Sequence, residues 1–134
     1  MQWNKLMYVV LVRNDYGVCY DFYTEKLGLI PVYGDRNGPT TSFTAKEGNP
    51  ECLVIHNAAE MSKIKAYTPP AISTAADTIL LGIPTDDVDK DYKRLKEAGV
   101  QFIGEPQTME AGWRMAYFRD TEGNLFEIGS PVGE

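Results

Sequence analysis

YVVLVRNDYGVCYDFYTEKLGL, residues Tyr8–Leu29, and LLGIPTDDVDKDYKRLKEAGV, residues Leu80–Val100, are written to one plan. Each opens on an apolar run, Tyr8-Val9-Val10-Leu11-Val12 in the first copy and Leu80-Leu81-Gly82-Ile83 in the second. Each then meets an acidic residue, Asp15 or Asp87, 72 positions apart. A side-chain oxygen there can cap the first turn of a helix. Tyr16, Tyr20, Tyr23 and Leu27 recur at spacings of three and four, as do Val88, Tyr92 and Leu95, which predicts an amphipathic helix in each copy. Gly28 and Gly99 stand where the chain must take a left-handed closing conformation. The chain therefore reads as one small module used twice. A repeat of this size builds two half-shells around a site, which points toward ligand binding.

Bulk properties narrow the classes. A chain of 134 residues is one domain, able to bury about two thirds of its unfolded surface. A formal net charge of −6, with basic residues scattered, argues against a nucleic-acid partner. The apolar stretch Leu6–Val12 is far shorter than the ~20 residues of a membrane span and lacks the flanks of a signal peptide. Two cysteines, Cys19 and Cys52, do not make a disulfide framework. The expectation is a cytoplasmic protein with no membrane partner.

Working outward, Ile30–Tyr33, Thr41–Ala45 and Cys52–His56 read as strands, separated by the turns Gly34–Gly38 and Glu47–Pro50. Residues 58–78 carry Pro69-Pro70 and no clean period, the pattern of a linker that could lid a pocket. The second half repeats the order: strand Leu80–Thr85, helix Val88–Ala98, and strands Val100–Ile103, Trp113–Arg119 and Leu125–Gly129. The turn Asp120-Thr121-Glu122-Gly123-Asn124 has an acceptor at its start and a glycine for positive φ. Module one thus spans about 5–57 and module two about 79–131, in a single domain over 1–134.

Three phrases, in order, resemble the vicinal oxygen chelate superfamily of glyoxalases, bleomycin-resistance proteins, fosfomycin-resistance enzymes and extradiol dioxygenases. They are Asp21-Phe22-Tyr23-Thr24-Glu25-Lys26-Leu27-Gly28-Leu29, then Asp86-Asp87-Val88-Asp89 with Leu95-Lys96-Glu97-Ala98-Gly99-Val100, and finally Ala116 to Ile128. The last is similar to the family's closing signature, with Thr121 standing where proline is usual. The resemblance covers nearly the whole chain. It implies an α+β fold of two tandem βαβββ modules in a curved, cup-like mixed sheet, often within a homodimer.

The resemblance also implies where metal ligands would stand. Those positions fall on Tyr8, on Leu80, on Val54 (or Cys52 if the turn is aligned differently) and on Glu127. Only Glu127 keeps a ligand type, and His56 is the one histidine of the chain. A two-histidine site cannot be built within one copy. A substitute set of Glu127, Cys52, His56 and Tyr8 requires all of them to point inward, and strand parity does put Cys52, Val54 and His56 on one face. Leu80 nonetheless removes a ligand from the middle of the cup. The expectation is that no cofactor and no divalent metal is bound; a rearranged site would use Glu127 and His56.

The candidate ligand-binding set is Tyr8, Val54, His56, Leu80, Trp113, Met115, Tyr117 and Glu127. Glu127 lies in an apolar strand, either as a rim or hydrogen-bonded structural acid or as a functional carboxylate that pairs a cation or accepts a proton. Tyr8 could offer a hydroxyl or simply pack the floor. Trp113 shares a strand face with Met115 and Tyr117, so the three act together, as a stacking wall or as core. Cys52 has no basic neighbour in sequence, Cys19 reads as a small buried side chain, and no nucleophilic triad or phosphate loop is present. The leading expectation is a small-molecule binder, closest in logic to the metal-free bleomycin-resistance proteins, taking a cationic or aromatic ligand. The alternatives are a metal-dependent lyase, isomerase or dioxygenase with a rearranged site, and a sensing or partner-binding domain whose cleft is filled by side chains such as Tyr8, Leu80 and Trp113.

Overall fold

The computed structural model describes residues 8–63, 79–110 and 112–132. The start of module one and linker residues 64–78 lie outside the described residues. The chain divides into two compact units, Met1–Ala71 and Ile72–Glu134, and each carries one four-stranded sheet. The architecture is α+β, with two βαβββ modules.

In the first unit, β1 (Tyr8–Val12) leads into α1 (Tyr16–Asp21), which runs on as a π-helical turn over Phe22–Lys26. Strands β2 (Ile30–Tyr33), β3 (Thr40–Thr44) and β4 (Glu51–Asn57) follow, then a 3-10 turn over Ala58–Lys63. The sheet order is β1-β4-β3-β2, with β1 parallel to β4 and the other pairs antiparallel. Asp15 caps α1 through its side chain, which accepts from the Val18 N–H at 3.1 Å. The helix covers the sheet face that bears Val10, Val12, Thr41, Phe43, Leu53 and Ile55, all buried. Its Tyr20 and Tyr23 rings lie 5.8 and 6.1 Å from Phe43, and the Tyr16 hydroxyl donates to Thr41 Oγ1 at 2.8 Å. The Arg36 guanidinium makes two 2.9 Å bonds to Asp21, tying the β2–β3 connection to the helix. A Cβ at Gly17 would stand 2.8 Å from that guanidinium, so the glycine makes room for it. Strand β2 lies at the sheet edge, exposed along its length, with Pro31 in it and a register shift between Pro31 and Tyr33.

The second unit holds β5 (Leu80–Pro84), α2 (Val88–Glu97), β6 (Gln107–Thr108), β7 (Trp113–Arg119) and β8 (Leu125–Pro131), in the sheet order β5-β8-β7-β6. Asp87 caps α2 as Asp15 caps α1, accepting from the Lys90 N–H at 3.0 Å. Val88 and Leu95 are the buried face of α2, over Ala116, Phe118, Phe126 and Ile128. Phe118 and Phe126 stack with centroids 5.2 Å apart. Arg114 reaches the first turn of α2 with two 2.7 Å bonds to Asp89. The Asp120 turn forms as its residues require: Asp120 is buried and accepts from the Glu122 N–H, the Asn124 N–H and the Asn124 side chain.

One expected element moves. The strand expected at Val100–Ile103 is only an isolated bridge between Phe102 and Phe118, and β6 lies further on, at Gln107–Thr108. The reason is local. Val100 is drawn in to close α2, its N–H bonding the Leu95 carbonyl while Gly99, at φ +94°, bonds Lys96. Gly104 at φ +117° and then Pro106 turn the chain again before pairing begins. The other strands lie within two residues of expectation. No described helix is long and apolar enough to cross a membrane.

Candidate binding face of the second sheet

Side chains alternate across a sheet, and register partners share a face. In the second unit, α2 takes the face of Ala116, Phe118, Phe126 and Ile128. The opposite face therefore carries Leu80 and Gly82 from β5, Glu127 and Gly129 from β8, and Trp113, Met115 and Tyr117 from β7. Five of the expected residues are thus brought together. Glu127 lies between Gly82 on one side and Tyr117 on the other. Trp113 reaches along the face, and its indole Nε1–H donates to Glu127 Oε1 at 2.6 Å. A Cβ on Gly129 would stand 2.6 Å from the indole and 2.7 Å from that same carboxylate oxygen. Gly129 is what lets the ring lie against the strand. Met115 is buried, whereas Leu80 and Trp113 remain 43% and 37% exposed, so the face is accessible at these two side chains. The carboxylate is fixed by one neutral donor and flanked by apolar and aromatic surface.

The first sheet uses its uncovered face differently. Cys52, Val54 and His56 of β4 do share it, with Val9 and Leu11 of β1 and Thr40 and Ser42 of β3. His56 Nδ1 is hydrogen-bonded to the hydroxyl of Thr40, its cross-strand partner. Burial pushes the Cys52 thiol pKa up, which disfavours the thiolate a nucleophile needs. Tyr8 goes to the other side: its register partner is Leu53, and it shares the helix-covered face with Val10 and Val12. The spacing between strand and helix accounts for this. In module two the last covered strand residue, Ile83, precedes the cap Asp87 by four positions; in module one Val12 precedes Asp15 by three. That single residue reverses the parity. The register also settles the fourth-strand position: Val54, not Cys52, matches Glu127, each flanked by two core residues (Leu53 and Ile55, Phe126 and Ile128).

Sequence reasoning passed over Gly82 and Gly129, whose signal was a glycine inside each of two strands.

The fold coincides with that of known proteins. The family described as Glyoxalase/Bleomycin resistance protein/Dioxygenase superfamily matches residues 5–128. The chain belongs to that superfamily. It is 33% identical over 129 residues to the uncharacterized protein YurT of Bacillus subtilis, covering 92% of this chain and 97% of YurT. A glyoxalase/bleomycin resistance protein/dioxygenase from Nocardioides superposes with a TM-score of 0.75 at 21% identity, over 95% of this chain and 83% of that one, a likeness of fold. TnmS3, an antibiotic binding protein from Streptomyces sp. CB03234, gives a TM-score of 0.66 at 28% identity, over 94% and 93% of the two chains.

The superfamily's metal-dependent members make a fit test necessary. Among the described residues no three His, Cys, Asp or Glu side chains converge where a metal ion could be held. On the second sheet Glu127 has Leu80, Gly82, Met115, Trp113 and Tyr117 around it, and one of its oxygens already takes the indole N–H. Such a donor set does not fit a zinc-type centre, which takes three or more protein ligands.

Proposed function

We propose that this protein binds a small cationic, aromatic molecule on the open face of its second sheet without a catalytic metal. The observation that carries the reading is the Glu127 carboxylate, held by Trp113 on an accessible face between apolar and aromatic side chains. A carboxylate partly removed from water attracts a cation more strongly than one in bulk solvent, and indole and phenol faces add cation–π attraction. The antibiotic-binding character of TnmS3 supports the same class of role. Leu80, Met115, Trp113, Tyr117 and Glu127 form the contact surface in this reading, with Glu127 as the charge partner. The superfamily resemblance further supports a cytoplasmic homodimer.

Two measurements test it. The purified chain is incubated with zinc, nickel, manganese or ferrous iron, desalted and assayed for metal, with less than a tenth of an equivalent expected to remain. One equivalent, lost in Glu127→Ala, would overturn the metal-free reading. Titration with benzylammonium is expected to quench Trp113 fluorescence in a Trp3→Phe background, whereas benzoate is not. Equal response to the two would overturn the assignment of a cationic ligand.

A further inference from the structure

The two strand glycines beside Glu127 differ in what occupies the space above them. Over Gly129 the space is filled from within, by the Trp113 indole and Glu127 Oε1. Over Gly82 it is open: among the described residues nothing lies within 4 Å of where a Cβ would stand. Gly82 is extended backbone within β5, so its φ does not demand glycine. A glycine in a strand interior forgoes packing and weakens the strand, and it commonly marks a close approach by a ligand or another backbone. Gly82 is also the register partner of Glu127, one strand spacing away, about 4.8 Å.

The two carboxylate oxygens differ in what they accept. Oε1 accepts the Trp113 indole N–H at 2.6 Å, and no donor among the described residues bonds Oε2. A guanidinium fork uses both oxygens of a carboxylate, and here it would compete with the indole N–H for Oε1. A single N–H donor needs only the other.

We infer that Gly82 is the specificity-determining position of this face, admitting the head of a ligand that donates one N–H from a protonated amine to Glu127 Oε2. The inference rests on the binding role proposed above and adds the donor chemistry and the residue that selects it. Leu80, two positions earlier on the same face, packs against the ligand's apolar body. A quaternary ammonium carries the same charge but has no N–H, so it loses the directed bond. The second prong of an amidinium would have to share Oε1 with the indole N–H.

The test compares benzylammonium, benzyltrimethylammonium and benzamidinium by Trp113 quenching, on the Trp3→Phe chain and on its Gly82→Ala and Gly82→Val variants. The expected order on the parent is benzylammonium ahead of benzyltrimethylammonium by tenfold or more, with benzamidinium between them. Gly82→Val is expected to weaken benzylammonium at least tenfold and Gly82→Ala by less. Valine suits an extended strand, and an unchanged near-ultraviolet Trp113 spectrum confirms that the indole–carboxylate pair is in place. Should Gly82→Val spoil that spectrum, the alanine variant decides alone, with a threefold loss expected. If the parent binds all three cations equally, or the glycine variants bind benzylammonium as the parent does, this inference falls while the binding role stands. If the parent binds none of them, the binding role falls and takes this inference with it.

Discussion

The two modules share a sheet plan and differ in what they place at its centre. Val54 in the first sheet lies between Val9 and Ser42; Glu127 in the second lies between Gly82 and Tyr117. Both are flanked in sequence by core residues that fix their outward direction. The strand plan is repeated, and the held carboxylate stands on one copy. The uncovered face of the first sheet offers aliphatic surface and hydroxyls, including a His56–Thr40 pair. That of the second offers a held carboxylate with aromatic neighbours. A repeat therefore predicts where a functional position stands more reliably than it predicts which residue fills it.

The comparison breaks most severely if the cores are not equivalent. Phe43 and Phe118 are each fully buried beneath their helix, and Phe→Ala at either is expected to cost about 3–5 kcal/mol in urea unfolding. A loss below about 1 kcal/mol at one of them would show that its module is held by something else. The turns before β4 and β8 come next. Asp120→Ala removes an acceptor of three hydrogen bonds and is expected to cost about 2–4 kcal/mol. In the first module the buried Thr44 hydroxyl faces the carbonyls of Lys46, Asn49 and Pro50 with one proton to give. Thr44→Val is expected to cost about 1 kcal/mol, and equal costs at the two turns would contradict this ordering.

The functional asymmetry is sharpened by moving the charge. Glu127→Gln is expected to weaken benzylammonium at least tenfold with the melting temperature within a few degrees of the parent. Val54→Ala is expected to leave that affinity within twofold. A larger loss from Val54→Ala would mean that the first sheet takes part in the contact.

The smallest effect concerns acid. Asp21 and Asp89 each tie a module's helix to a partner arginine, and the guanidinium hydrogen bonds of Arg36 and Arg114 hold both carboxyls below the usual aspartate range. A depressed carboxyl stabilises the fold fully above its unfolded value, near 4, and ceases to do so as pH falls through the folded value. The stability difference between the parent and Asp21→Asn or Asp89→Asn is thus expected to be present at neutral pH and to vanish toward pH 2. Both pairs are exposed, so the effect is small in each module.

Much of this was legible in the residues. Caps, closing glycines and the Asp120 turn are local devices, and they appear where local chemistry puts them. Trp113, Met115 and Tyr117 could be placed on a common face because β7 is regular and alternates without interruption; that Glu127 joins them follows from the β7–β8 register. Tyr8 could not, because its facing depends on how many residues separate a strand from a cap, and that number differs between the modules. The strand expected at Val100–Ile103 failed for a related reason: an apolar run after a helix serves equally to close that helix. Gly82 was passed over because a missing side chain leaves no pattern in hydropathy, only a gap that register makes meaningful.

Strand β2 has a consequence for the protein in crowded solution. It leaves Ile30, Val32 and Tyr33 exposed at the edge of the first sheet, the kind of strand onto which another chain can add itself. Pro31 has no amide N–H to give, and the shifted register between Pro31 and Tyr33 spoils the strand's straight repeat. Colloidal stability at high concentration would thus rest on a proline and a kink. Pro31→Val is expected to aggregate more readily than the parent on concentration, read by light scattering and thioflavin fluorescence.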